Sequence, residues 1–405
     1  MRVLFYLDRL MHYHIATFQE MERRLEDQGG EFILVSGQKN EKETGRVGIS
    51  ERIVRQHVFI PYNEWIWGTY TLRSQPALPS LIERIAPDVV IVMGHVGSLT
   101  YWRLGKLAKK LSFKYVTWQC GYEYNSGLLK HELTKRFFEL FDHHLAYNTN
   151  AKKYLMSNGV SSSHITVIHN TINEQEISLL PRDKARQMVI DELQLPQDRP
   201  IILYVGAILA EKRLEVLIDA VRRLAPRISA SLIVVGDGPA LADLKSASVD
   251  LEYVRYPGRV VEGVGRFFAA ADVFVLPGTG GLAINEAMAH GFPVISAFAA
   301  GSAMDLITDG VNGYVLSFAV PTQETTGLPG EVTRAEEIAL RLENILSDPE
   351  NRSLMGAASR DLITTKYSFT AFIERILKGL NEASGDAPHA LAYRPACTAV
   401  HDLNT

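Results

Sequence analysis

The sequence predicts an α/β chain built from two doubly wound, Rossmann-like domains. Three observations carry the prediction. Short β-branched runs alternate with longer helical patterns along most of the chain. Those runs are apolar on both faces, as strands of a parallel sheet covered by helices are. The alternation also comes in two successive sets, one in each half. A length of 405 residues exceeds one ordinary core, and 46% hydrophobic with 22% charged residues is the composition of a globular protein.

The first set of strand-like runs is "RVLFYL" (2–7), "EFILVSG" (31–37), "DVVIVMG" (88–94), "KYVTWQCG" (114–121), "HHLAYN" (143–148) and "HITVIHN" (164–170). The second is "PIILYVGA" (200–207), "SLIVVGDG" (231–238), "LEYVRYPG" (251–258), "DVFVLPG" (272–278), "PVISA" (293–297) and "GYVLS" (313–317). Between them, Ile15, Phe18, Met21 and Leu25 recur at helical spacing before Gly29 and Gly30, and Leu214, Leu217, Ile218, Val221 and Leu224 do the same later. The strand rhythm breaks over 171–198, which puts a domain over 1–175 and a second over 176–365. In doubly wound sheets ligands bind beyond the carboxyl ends of the strands, so two such domains would face each other across a ligand cleft. Residues 321–332 read as a Pro/Gly-rich loop, and 384–405 as a poorly ordered tail.

Charge narrows the partners. Residues 1–175 carry 21 Lys and Arg against 17 Asp and Glu, and the remainder 21 against 29. A positive first half beside a negative second half suits an anionic surface such as a membrane and argues against a general nucleic-acid binder. Cys120 and Cys397 give no disulfide framework and have no metal-site company, which fits a reducing compartment. The opening "MRVLFYLDRLMHYH" is too soon interrupted by charge for a signal peptide, and no stretch approaches the roughly 20 apolar residues of a spanning helix. The expectation is a cytoplasmic protein whose membrane contact, if any, is peripheral.

The most informative stretch is "GTGGLAINEAMAHGFPVISA" (278–297). A glycine-rich loop there joins a strand to a helix, which lets backbone amides and a helix N-terminus approach phosphate. Glu286 lies one turn into that helix, on the face of Leu282. A carboxylate there is too far along for phosphate but suits the vicinal hydroxyls of a sugar. The plainer reading, a glycine turn before an exposed glutamate, has equal weight on this stretch alone. Lys212 and Arg213 at a helix start oppose the helix dipole unless an anion sits nearby. "IVVGDGP" (233–239) is a further tight strand-end turn that lacks the third glycine of a dinucleotide fingerprint.

These stretches, with "YVGAILAEKRLEVLIDAVRRL", "LIVVGDGPALADL", "YPGRVVEGVGRFFAAADVFVLPG" and "GLAINEAMAHGFPVISAFAAGSAMDLITDGVNGYVL", resemble the nucleotide-sugar domain of the family 4 glycosyltransferases. "APDVVIVMG" and "YNTNAKKYLMSNGVSSSHITVIHN" extend the resemblance into the first half, and "LMGAASRDLITTKYSFTAFIERIL" into the family's closing helices. The resemblance implies the two-domain glycosyltransferase B fold, with a helix over 366–383 crossing back to the first domain. It further implies a retaining transfer from a nucleotide-sugar donor to a glycan or lipid-linked acceptor, without metal or other cofactor.

Carried over by residue, it makes Glu286 the ribose ligand and Lys212 the diphosphate contact, with Arg213 supplying charge that Ala207 lacks. Gly206, Gly278, Gly280, Gly281, Leu282 and Ala283 would form the backbone around the donor, and Gly258, Arg259 and Val260 the turn under the base. Gly278 replaces the first glutamate of the family's pair, and "WQCGYEY" (118–124) lacks the histidine often found there, offering Gln119, Cys120 and Glu123, the last a candidate base. "HNTINEQ" (169–175) also lacks the family's usual Asn–Gly turn.

The acceptor side is less legible. His12, His14, His95, Gln119 and Trp65 are its candidates. "PYNEWIWGTY" (61–70) could stack on sugars, enter lipid headgroups or pack in a core, the last being preferred. "YWRLGKLAKKLSFK" (101–114) fits a basic helix on anionic lipid or an ordinary surface helix, again the preferred reading. Two other functions share the fold expectation: a sugar-nucleotide epimerase, which needs no acceptor, and a non-catalytic sugar-nucleotide-binding subunit.

Overall fold

The computed structural model describes residues 1–38, 51–68, 70–121, 128–177, 180–260, 262–297, 301–316 and 334–385. Two compact units result: 1–169 with 372 onward, and 170–371.

The first unit runs β1 (Arg2–Leu7), α1 (Ile15–Asp27), β2 (Glu31–Gln38), β3 (Gln56–Pro61), β4 (Asn63–Trp67), β5 (Tyr70–Ser74), α2 (Leu78–Ile85), β6 (Val89–Met93), α3 (Leu99–Leu111), β7 (Lys114–Gln119), α4 (Leu128–Phe138), β8 (His143–Ala146), α5 (Thr149–Ser157) and β9 (Ile165–Val167). Seven strands form one sheet in the order β3-β2-β1-β6-β7-β8-β9, and every neighbouring pair is parallel. Strand order reverses at β1 and β6, the doubly wound signature. The helices cover the sheet with the stripe read from sequence: Phe18, Met21 and Leu25 of α1 are buried, and the Phe18 ring meets Phe5 of β1 edge-on at 4.9 Å.

Strands β4 and β5 do not join that sheet. They form a two-stranded antiparallel ladder, with Trp67 opposite Tyr70, and a single bridge links Arg73 of β5 to Ser98. The packed-core reading of 61–70 is therefore corrected. Tyr62 is buried, but Trp65, Trp67 and Tyr70 are 43%, 59% and 68% exposed. The reason is local: the antiparallel pairing of Trp67 with Tyr70 commits the segment to a hairpin, and its root is anchored through Glu64 between Arg9 and Arg73.

The second unit runs α6 (Arg182–Leu193), β10 (Ile201–Val205), α7 (Leu214–Leu224), β11 (Ser231–Val235), α8 (Leu241–Ala247), β12 (Val254–Gly258), α9 (Gly265–Ala270), β13 (Val273–Leu276), α10 (Ala283–Ala289), β14 (Val294–Ala297), α11 (Ala303–Leu306), β15 (Gly313–Leu316), α12 (Arg334–Leu346) and α13 (Pro349–Thr364). Its six parallel strands lie in the order β12-β11-β10-β13-β14-β15, so the reversal falls between β10 and β13. A continuous core fills the unit, with Leu203, Phe274, Ile284 and Ile338 among its fully buried members.

A last helix, α14 (Phe369–Ser384), contains the second crossing between units, after Ala371. Its buried stripe of Phe372, Ile376 and Leu380 lies on the first unit, where the Phe372 ring meets Trp118 at 6.0 Å and Gly379 lies against Leu145 and Thr166. The first crossing, after His169, comes before the 175 suggested by sequence. A carboxylate explains the shift: Glu174 accepts a hydrogen bond from the Phe369 amide at 2.8 Å, which ties 170–177 to the start of α14. The proposed loop at 321–332 and all but the first two residues of the proposed tail lie outside the described residues. No helix among the described residues is long and apolar enough to cross a membrane.

Asp272, just before β13, is nearly inaccessible, and its carboxylate meets Arg182 at 2.6 Å, Arg186 at 3.0 Å, Arg352 at 3.4 Å and the Ile201 amide at 2.8 Å. Removing one partner of a buried charge network strands the others. Asp272→Ala is expected to cost about 3–5 kcal/mol, and Arg182→Ala, at a 45% exposed side chain, about 1 kcal/mol or less. Urea unfolding of the two variants beside wild type measures the difference.

Candidate active site

The carboxyl ends of β10 and β13 are the switch point of the second sheet, and most of the donor-side candidates meet there. The backbone leaving β10 continues the sheet for a few residues: the Gly206 amide donates to Val235 and the Ile208 amide to Asp237. Gly236 donates in turn to Gly258, the last residue of β12, where Arg259 is exposed and Val260 leans on the core. The strand ends β10, β11 and β12 are thus stapled into one rim. Tyr204 supports it from below, its hydroxyl donating to the Ala207 carbonyl at 2.8 Å.

After that rim, a single 3-10 turn (Ala210–Lys212) turns the chain into α7. It is fastened to the loop after β13 at three points. The Thr279 amide donates to the Glu211 carbonyl at 3.0 Å, the Thr279 hydroxyl donates to the same oxygen at 3.3 Å, and the Lys212 Nζ donates to the Thr279 carbonyl at 2.6 Å. The loops cross so closely that a Cβ on Gly278 would lie 2.3 Å from the Glu211 oxygen and 2.5 Å from the Lys212 carbonyl carbon. Glycine at 278 is therefore a condition of the crossing. The position that carries a glutamate in the resembling family is filled here by the chain's own backbone. One sequence expectation changes with it: the Thr279 amide is spent on Glu211 and is not offered to a ligand.

Arg213 takes a left-handed conformation, φ +56°, at the start of α7, and its Nε lies 2.9 Å from Glu215. Leu282 caps α10 and Ala283 begins it; Gly281 is exposed, with open space where a Cβ would stand.

Glu286 is part-buried on α10, and among the described residues no side chain or backbone group bonds its carboxylate. Burial pushes that carboxyl up to about 7, because removing a charge from water disfavours its ionised form. Beside it is a residue that sequence reasoning missed. Asn285 is buried, its Nδ2 donates to Thr171 at 3.0 Å, and its Oδ1 has no partner among the described residues. An Asn inside the apolar run "LAINEAMA" was the available signal, since a buried amide needs partners. Thr279 was also missed, because its role rests on a contact with residues 67 and 68 positions away.

In the first unit, His12, His14, His95 and Gln119 follow or end β1, β6 and β7, three adjacent strands. His14 Nδ1 accepts from the Met11 amide at 3.2 Å, and burial, with His12 beside it, pulls its imidazole down to about 4. The Gln119 side chain is buried against Gly94. Trp65 stands apart on the hairpin, and Glu123 lies outside the described residues. No group of three or more His, Cys, Asp or Glu among the described residues is arranged to hold a metal ion.

Two outcomes are expected from this geometry. Gly278→Ala should cost about 1–3 kcal/mol by forcing the loops apart, while Gly281→Ala, facing open space, stays within about 0.5 kcal/mol of wild type; thermal unfolding compares them. For Glu286, the unfolded chain releases its proton near 4.5 and the folded chain near 7. Stability therefore falls as pH rises through that window, and the loss is complete above about 7. Glu286→Gln is expected to be more stable than wild type at pH 8 and equal to it below about 4.5, as read from melting midpoints across pH.

Comparison with known proteins gives the same assignment in both halves. Residues 16–176 match the family described as Glycosyltransferase Family 4, and residues 199–335 match Glycosyl transferases group 1. The sulfoquinovosyl transferase SQD2 of Arabidopsis thaliana is 27% identical over 378 residues, covering 89% of this chain and 68% of that protein. The alpha-D-kanosaminyltransferase of Streptomyces kanamyceticus is 32% identical over 196 residues, 46% of this chain and 47% of its own. Among solved structures, Anabaena HepE in complex with UDP superposes with a TM-score of 0.72 at 15% identity, covering 94% of this chain and 99% of its own. The chain belongs to the family 4 glycosyltransferases and has their glycosyltransferase B fold.

Proposed function

We propose that the chain transfers a hexosyl group, with retention and without a metal ion, from a nucleoside-diphosphate sugar to a hydroxyl of a glycan or lipid-linked acceptor. The observation that carries this reading is the placing of Lys212, the 278–282 loop and Glu286, whose carboxylate no group among the described residues bonds, at one switch point. HepE, which shares the fold, is described with UDP bound, and a uridine nucleotide is the first donor to test.

In this reading Glu286 accepts hydrogen bonds from the ribose hydroxyls. Lys212 exchanges a neutral carbonyl, Thr279, for a diphosphate oxygen, a charge-assisted bond roughly twice as strong. As the bond between the sugar's anomeric carbon and the β-phosphate oxygen breaks, negative charge grows on the leaving diphosphate and positive charge on the ring. Lys212 and Arg213 stabilise the first as preorganised cations. The acceptor oxygen then bonds the anomeric carbon from the face the diphosphate leaves, and its proton passes to a phosphate oxygen. The products are the glycoside and the nucleoside diphosphate.

A panel of sugar nucleotides with a chelator present tests the proposal, reading nucleotide release and the anomeric configuration of the product. Glu286→Ala should weaken donor binding by about 10- to 150-fold, the value of a charge-assisted hydrogen bond. Wild-type donor affinity should rise as pH climbs through about 7, where the carboxyl ionises, and stay flat in Glu286→Gln. Epimerised donor without acceptor would instead make this an epimerase, and donor binding without release a non-catalytic subunit.

A further inference from the structure

We propose that the β4–β5 hairpin and the exposed face of α3 form one docking surface for an anionic lipid bilayer, with the hairpin tip entering the headgroup layer. Register fixes which side chains share a face. Trp65 is opposite Leu72 and Trp67 opposite Tyr70, so these four line one side; Ile66 and Thr71 line the other. Trp67 and Tyr70 are 59% and 68% exposed, and Ile66 on the opposite side is 62% exposed. The hairpin therefore exposes large apolar side chains on both sides. A sugar ring stacks on one aromatic face, whereas large apolar side chains exposed on both faces are satisfied by insertion between lipid headgroups, where Trp and Tyr rings are at home.

The root holds the tip in place. Glu64 meets Arg73 at 2.8 Å and Arg9 at 3.4 Å, and Arg73 also meets Asp8 at 3.1 Å. The Arg73 amide donates to Gly97 at 2.9 Å, which brings the root beside the start of α3. From there, exposed Leu99 is followed by Arg103, Lys106 and Lys110 at offsets of four, seven and eleven, one stripe of the helix. All three cations are exposed, and among the described residues none forms an ion pair. The sequence contains no Asp or Glu between Asp88 and Glu123. Trp102 fixes the helix from its inner side, its Nε1 donating to Val96 at 2.9 Å. An apolar tip beside an unbroken cationic stripe complements a surface that is apolar within and anionic at its face.

The surface is independent of the transferase reading, since vesicle binding needs no sugar nucleotide. The test is cosedimentation of the full chain with vesicles of phosphatidylcholine alone or mixed with phosphatidylglycerol, together with tryptophan emission. Wild type is expected on the mixed vesicles, with a blue-shifted emission and binding that weakens with salt. Trp65→Ala/Trp67→Ala should reduce partitioning by about 10- to 100-fold. Arg103→Gln/Lys106→Gln/Lys110→Gln should reduce it similarly and abolish the salt dependence. These side chains are exposed, so circular dichroism of both variants should match wild type. Equal binding to both vesicle types, or wild-type binding by the tryptophan variant, would overturn the proposal. An emission shift with soluble oligosaccharide but not with vesicles would assign the hairpin to a glycan. Dimerisation lost in the tryptophan variant, without vesicle binding, would assign it to a second copy of the chain.

Discussion

The site at the carboxyl ends of β10 and β13 depends on a carboxylate at their amino ends. These two strands share only two paired positions, Ile202 with Val273 and Leu203 with Phe274, although the seam between them is where the sheet reverses order. Asp272 reinforces it: its carboxylate accepts from the Ile201 amide, and its own amide donates to the Ile201 carbonyl, both at 2.8 Å. The same carboxylate gathers Arg182 and Arg186 from α6 and Arg352 from α13. The ion-pair network lies at one end of the seam, while the other carries loops that cross without a glutamate at 278 and a carboxyl that burial disfavours. Glu286 costs the empty fold stability at neutral pH, and a ligand donating hydrogen bonds to it would offset that cost.

Much of the fold was legible because parallel strands buried on both faces leave continuous apolar runs. Every run read as a strand overlaps one, and Phe18, Met21 and Leu25 of the stripe read for α1 are buried, while Ile15 is only part-buried. The ends of runs were less legible: 251–258 reads as one strand, but β12 begins at Val254, since Leu251 and Glu252 precede the ladder with Leu232. Hairpin β4–β5 escaped because Trp and Tyr suit a core as well as an exposed ribbon, and only pairing decides.

At the site, the glycine loop and Glu286 were visible as a local pattern. The reason for Gly278 was not. It depends on where residues 211 and 212 pass in three dimensions, and sequence alone shows an absent glutamate without the backbone that takes its place. Asn285 was hidden for a related reason: its partner, Thr171, is 114 positions away.

The route of α14 has a consequence for synthesis. The first unit consists of residues 1–169 and the segment from Phe372 onward. Trp118, Leu145 and Thr166 therefore leave the ribosome well before the helix that covers them, while the whole second unit is being made. At about 5–20 residues per second that interval is roughly 10–40 s. For that time the strip of the first unit that α14 covers in the finished chain lacks that cover, which leaves it open to a chaperone or a neighbouring nascent chain.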